Sequence, residues 1–115
     1  MKTVATLEAE LPTGKKIVLR ELTGSDELAC ATEAGDATGA AASVRYQRSQ
    51  VMRSLVSIDG TPFDPSSTTP DGTRDLFDAR EWGMVVDAFS ELNLVKVDEV
   101  SKFRSTFRLS SRDVG

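Results

Sequence analysis

The run Glu10-Leu-Pro-Thr-Gly-Lys-Lys-Ile-Val-Leu-Arg-Glu-Leu-Thr-Gly-Ser-Asp-Glu-Leu28 constrains this chain more than any other stretch. It spells the turn and return strand of a β-hairpin, followed almost at once by a capped helix. Ahead of the turn the side chains alternate. Over residues 3–11, Val4, Thr6, Glu8 and Glu10 fall on one face of a strand, and Ala5, Leu7, Ala9 and Leu11 on the other. Pro12 presets the first corner and Gly14 supplies a positive φ. The return strand, residues 16–22, places Ile17 and Leu19 on one face and Val18, Arg20 and Leu22 on the other. Thr23 or Ser25 can then accept a hydrogen bond from a free amide of the next helix, whose first turn holds Asp26 and Glu27. That helix spans about residues 25–33 and stops before Gly35. The link from strand to helix is so short that the helix is expected to pack close to the hairpin.

Downstream, residues 34–38 read as a loop and residues 40–56 as a second helix, started by Ala40-Ala-Ala42. Val44, Val51 and Leu55 lie on one stripe of it, joined by Met52 and Val56, while Arg45, Arg48 and Arg53 occupy other parts. Residues 56–64 form a small second hairpin about Asp59-Gly60, with Pro62 confining its return arm to a sheet edge. The Asp-, Pro-, Ser- and Thr-rich stretch 64–75 is loop chemistry and is expected to be mobile. Asp78-Ala-Arg-Glu81 is a capping box that opens a helix over 79–92, with Trp82, Val85, Val86, Phe89 and Leu92 spaced by three and four, and Asn93 as terminator. Asp98 caps a last helix striped by Val100, Phe103 and Phe107. These last two helices are expected to form an αα-hairpin that buries most of the aromatic surface. The tail from Ser110 to Gly115 is polar and is expected to fray.

The expected fold is therefore a single α+β domain over 1–115, with an N-terminal hairpin, a small second hairpin and about four helices. A chain of 115 residues fits one domain. It buries roughly two-thirds of the surface its unfolded form exposes. A hydrophobic fraction of 39% with 28% charged residues suits a soluble globular chain. The lone cysteine, Cys30, permits no internal disulfide, and its neighbours Leu28, Ala29 and Ala31 mark it as a small buried hydrophobe. No apolar stretch approaches the length that spans a bilayer, and the first residues lack a charged region followed by an apolar signal core. The chain reads as intracellular.

Catalytic equipment is sparse. With no histidine, the commonest general base and metal ligand are missing. No phosphate-binding glycine loop and no nucleophile elbow occurs. The acid pairs Asp26/Glu27 and Asp98/Glu99 sit at helix starts, where they serve as cap and dipole partners. The spacing of Asp59, Asp64 and Asp71 is too open for a calcium loop. A net charge of −4 argues against nucleic acid as the main partner and gives no support for docking on anionic membranes. Trp82, Phe89, Phe103 and Phe107 are better explained as core than as base-stacking platforms. The expectation is a non-enzymatic binding protein without metal or cofactor. Its partner surface is assigned to the second helix, at Val44, Arg48, Val51, Met52 and Leu55.

The phrase Leu11 to Leu28 resembles the opening of small tail assembly proteins of tailed bacteriophages, where a "leucine, proline, small residue, glycine, lysine" turn precedes an arginine-containing strand and a "leucine, threonine, glycine, acid, acid" helix entry. Ser54-Leu-Val-Ser-Ile-Asp-Gly60, Arg80-Glu-Trp-Gly-Met-Val-Val-Asp-Ala-Phe-Ser-Glu-Leu-Asn93 and Lys102-Phe-Arg-Ser-Thr-Phe107 resemble later phrases of that group, so the similarity covers most of residues 7–108. It implies a tail assembly chaperone in the host cytoplasm that binds the tape-measure protein, the tail tube protein or both, and that can form homo-oligomers. The alternative is a structural baseplate or tail-hub subunit of a contractile-tailed phage.

Overall fold

A computed structural model describes residues 4–35, 38–94 and 97–106. The first two strands, β1 (Thr6–Glu10) and β2 (Lys16–Arg20), pair antiparallel, with Leu7 opposite Leu19 and Ala9 opposite Ile17. The turn is closed by the Leu11 N–H donating to the Lys15 carbonyl at 2.7 Å, and Gly14 takes a φ of 91° that a side chain would resist. Both faces fall as the alternation requires. Ile17 and Leu19 are fully buried, whereas Thr6, Glu8 and Glu10 face solvent.

Helix α1 (Gly24–Ala34) begins at a Thr23 cap. The Asp26 N–H donates to Thr23 Oγ1 at 3.2 Å, and the Thr23 N–H donates back to Asp26 Oδ2 at 2.8 Å. The box is thus closed by aspartate rather than the usual glutamate. Asp26 also takes a two-pronged contact from Arg20, Nη1 to Oδ2 at 2.7 Å and Nη2 to Oδ1 at 3.0 Å, which pins the strand end to the helix start. The Arg20 hydrogen bonds, with help from the Thr23 amide and hydroxyl, hold the Asp26 carboxyl down to about 2. A carboxyl whose folded pKa is depressed stabilises the fold above its unfolded pKa of 3.8 and loses that contribution as pH falls through about 2. Urea denaturation between pH 5 and pH 2 is therefore expected to show stability declining with acid, and Asp26→Asn is expected to flatten part of that decline.

Helix α2 (Gly39–Ser54) runs straight into β3 (Leu55–Ile58), so the expected helix over 40–56 ends earlier and Leu55 and Val56 belong to the sheet. Strand β4 (Thr61–Pro62) completes an antiparallel sheet of order β1-β2-β3-β4. The β3–β4 turn is carried by Asp59 at φ 53° and Gly60 at φ 81°, both in the left-handed region that a two-residue hairpin requires. Pro62 sits on the edge strand, as its missing N–H demands. A bulge between Val18 and Leu19 sets Val18 opposite Ser57 and Leu19 opposite Leu55.

The stretch 64–75 is not the loop that its composition suggests. It forms a 3₁₀ turn at Pro65–Ser67 and a short helix α3 (Pro70–Arg74). Asp64 accepts from the Ser66 N–H at 2.9 Å and Thr69 from the Gly72 N–H at 2.9 Å, while Pro65 and Pro70 open their respective turns. Residues that break helix interiors are favourable at helix starts, which is why turn-like composition is compatible with two of them. Thr73 is fully buried there.

Helix α4 (Ala79–Asn93) opens on the Asp78/Glu81 box, and its stripe lies on the sheet. Leu11, Ile17, Leu19, Val51, Leu55, Phe77, Val85 and Phe89 form the core, with Trp82, Val86 and Leu92 packed against it. The hairpin turn clasps the helix start. The Thr13 hydroxyl donates to Glu81, while the Lys15 ammonium donates to the Leu76 carbonyl at 3.0 Å and lies 5.1 Å over the Phe77 ring. At the other end of α4, Asn93 accepts from the Leu22 N–H at 2.7 Å, and Ser54 Oγ donates to the Arg20 carbonyl at 2.6 Å, joining both long helices to the end of β2. Asn93 is thus a cross-link as well as the last helical residue.

Helix α5 (Val97–Ser105) follows α4 in the expected order but without the expected burial. Phe103 is 63% exposed, and the aromatic core is supplied by Phe77, Trp82 and Phe89 instead. Phe107, the third residue of that stripe, and the tail from Ser110 lie outside the described residues.

Candidate binding surface

Two helices, α1 and α2, lie against each other and away from the sheet for much of their length, so α1 packs chiefly on α2 and not, as its short link suggested, on the hairpin. On α1, Cys30 and Ala34 are one turn apart and turn inward, both buried. Leu28 stands two residues before Cys30, about 200° away around the helix, and is 71% exposed. On α2, Val44 is 45% exposed. The seam between the helices leaves an open, mainly apolar hollow of ≈ 440 Å³ lined by Ala31, Ala34, Ala42, Ser43 and Tyr46. Its floor is alanine, so the helix backbones are covered by little more than methyl groups and a bulky side chain has room to enter. Burial pushes the Tyr46 hydroxyl up from its ordinary value, with Cys30 and Glu27 adding to the effect.

Beneath the seam the polar groups are stabilising rather than reactive. Burial, then the Glu33 charge, pushes the Cys30 thiol up to about 11, so the nucleophilic thiolate is scarce at neutral pH. Arg53 of α2 donates to Glu33 of α1, and that hydrogen bond raises the guanidinium further. Among the described residues, Glu33 Oε1, Arg53 Nε and Ser49 Oγ are buried without a hydrogen-bond partner. A smaller cleft of ≈ 190 Å³ opens between Glu33, Arg45, Thr69, Pro70 and Asp71. Its wall carries both signs of charge, and Arg48 closes part of it by pairing with Asp71 at 2.7 Å. Among the described residues, no group of three or more His, Cys, Asp or Glu side chains is placed to hold a metal ion, and no helix is long and apolar enough to cross a membrane.

The five residues expected to form the partner surface separate into three environments. Val44 is on the surface, about 200° around α2 from both Ala42 and Tyr46 and so turned away from the hollow. Arg48 is half-buried and ties α2 to α3 through Asp71. Val51, Met52 and Leu55 are 0%, 1% and 3% exposed, so they are core and offer no surface to a partner in the folded domain. The correction has a simple cause. Helical periodicity reports one apolar side of a helix but not what covers it, and the last turns of α2 are covered by the sheet and α4. Leu28 and Tyr46 were missed. The available signal was the 3.6-residue period, which turns Leu28 away from the direction shared by Cys30 and Ala34.

Comparisons with protein-family models, with curated proteins and with solved structures found no match to this chain.

Proposed function

We propose that the protein holds another polypeptide during assembly, as the phage tail assembly chaperones that its sequence resembles do, by seating an amphipathic helix of that partner in the α1–α2 hollow. The observation that carries this reading is the alanine-floored trough between the two helices, lined by Ala31, Ala34, Ala42, Ser43 and Tyr46. A trough between two helices packed side by side is the shape into which a third helix lays its apolar stripe. A tape-measure protein, with its long helical stretches, fits that description, and the tail tube subunit is the second candidate. Such holding takes place in the host cytoplasm, before tails are complete.

The test is co-expression with the tape-measure protein, and separately with the tube protein, of the same phage. The wild-type chain is expected to co-purify with one of them, and Ala31→Lys/Ser43→Lys, which changes one lining residue on each helix, is expected to lose that partner. Both positions are exposed and lysine is a good helix former, so circular dichroism and the thermal midpoint should match wild type. Retention of the partner by the double variant would remove the hollow from the reading. Capture of neither protein would remove the chaperone. Mass spectrometry of purified particles separates the remaining alternative, because a chaperone leaves the finished tail whereas a baseplate or hub subunit stays in it.

A further inference from the structure

The sheet has two edges, and they are not equivalent. β4 is two residues long and carries Pro62, so it offers little to an incoming strand. β1 is five residues long, and its backbone polarity can be worked out from its partner. The Glu21 N–H donates to the Ala5 carbonyl at 3.0 Å and the Leu11 N–H to the Lys15 carbonyl at 2.7 Å. In an antiparallel pair, hydrogen-bonded positions recur every second residue. Leu7 and Ala9, opposite Leu19 and Ile17, therefore turn their N–H and C=O groups toward β2. Thr6, Glu8 and Glu10 turn theirs outward. The same alternation serves β2, where the Lys16 carbonyl accepts from the Asp59 N–H at 2.7 Å on the β3 side.

Thr6, Glu8 and Glu10 also place exposed side chains on the solvent face of the sheet, beside a hollow of ≈ 270 Å³ that involves Glu8, Ala9, Glu10, Lys16, Ile17 and Val18. Glu8 lies directly opposite Val18, with Lys16 and Arg20 at the diagonal positions, while Glu10 lies opposite Lys16. Charged side chains on an edge ordinarily serve to prevent edge-to-edge aggregation. Here their sign does more than that. A second copy of β1 laid on this edge would set glutamate against glutamate, whereas a strand with lysine or arginine at alternate positions would meet opposite charge at two of the three outward residues, Glu8 and Glu10.

We propose that the β1 edge is a β-augmentation site for an extended basic segment of a partner protein, with lysine or arginine at positions i and i+2 beside Glu8 and Glu10 and small or β-branched apolar residues between them. Main-chain hydrogen bonds to Thr6, Glu8 and Glu10 supply affinity, and the two carboxylates supply the choice of partner. The proposal does not depend on the α1–α2 hollow.

The test uses the full-length ¹⁵N-labelled chain and two end-capped synthetic hexapeptides, one alternating lysine and valine and one alternating glutamate and valine. In the free protein the amides of Thr6, Glu8 and Glu10 are expected to exchange with solvent much faster than those of Leu7 and Ala9. The lysine peptide is expected to slow exchange at those three amides, and the glutamate peptide to leave it unchanged. Glu8→Gln/Glu10→Gln, which alters only exposed side chains, is expected to weaken the lysine peptide about tenfold. Glu8→Lys/Glu10→Lys is expected to reverse the preference between the peptides. Prior protection of the three amides in the free protein, no slowing by the lysine peptide, equal binding of both peptides, or unchanged affinity in the glutamine variant would each overturn the proposal.

Discussion

Val51→Asp is expected to leave no cooperatively folded domain at room temperature. Val51 is fully buried among Ile17, Leu19, Leu55, Val85 and Phe89, where the sheet, α2 and α4 meet. No basic side chain belongs to that cluster, so a carboxylate there would be desolvated without a partner, or would be protonated with its polar atoms unsatisfied. The penalty is several kcal/mol, added to the lost apolar transfer energy, against a total stability of about 5–15 kcal/mol for a domain of this kind. The informative control is Val44→Asp, two helical turns earlier and 45% exposed, which is expected to unfold in urea with a midpoint close to wild type. Circular dichroism and urea titration of the two variants decide the matter. A folded, cooperative Val51→Asp protein would return the second half of α2 to the surface and make Val51, Met52 and Leu55 partner residues after all.

Phe89→Ala is expected to cost about 3–5 kcal/mol, the usual range for removing a buried ring and leaving a partly collapsed cavity. Phe89 is 3% exposed on the face of α4 that covers the sheet, in one cluster with Leu19, Val51 and Val85. Phe103→Ala is expected to change stability by no more than about 0.5 kcal/mol, because that side chain is already 63% exposed. Urea midpoints measured at a constant slope provide the comparison. Equal losses for the two variants would mean that α5 packs into the same core as α4.

The contrast between the two phenylalanines marks the boundary of what could be read from the residues. Local chemistry was legible wherever a residue type admits few backbone conformations. Thr23 and Asp78 cap helices where a side-chain oxygen precedes a run of free amides, Asp59-Gly60 makes the second hairpin, and Pro62 lies on an edge. Long periodic stripes were also legible, as α4 illustrates. The surroundings of a stripe were not. Val51 and Val44 obey the same spacing along α2, yet one lies under a sheet and the other in water, and that difference is set by elements distant in sequence. The stretch 64–75 failed for a different reason, since aspartate, threonine and proline serve loops and helix caps alike. The candidate surface was the least legible part. None of the five expected residues lines the hollow, and the exposed Leu28 gives itself away only once Cys30 and Ala34 are known to face inward.

β2 is paired on one side with its immediate predecessor and on the other with β3, which arrives only after the whole of α1 and α2. A chain emerging residue by residue from the ribosome must therefore carry its first hairpin with both flanks bare until Leu55 to Ile58 have been synthesised. Closing that wide loop is an entropic toll on the rate of folding that the local turns cannot lower. Loop grafts or insertions between α1 and α2 should accordingly slow maturation of the newborn protein far more than they weaken the finished one.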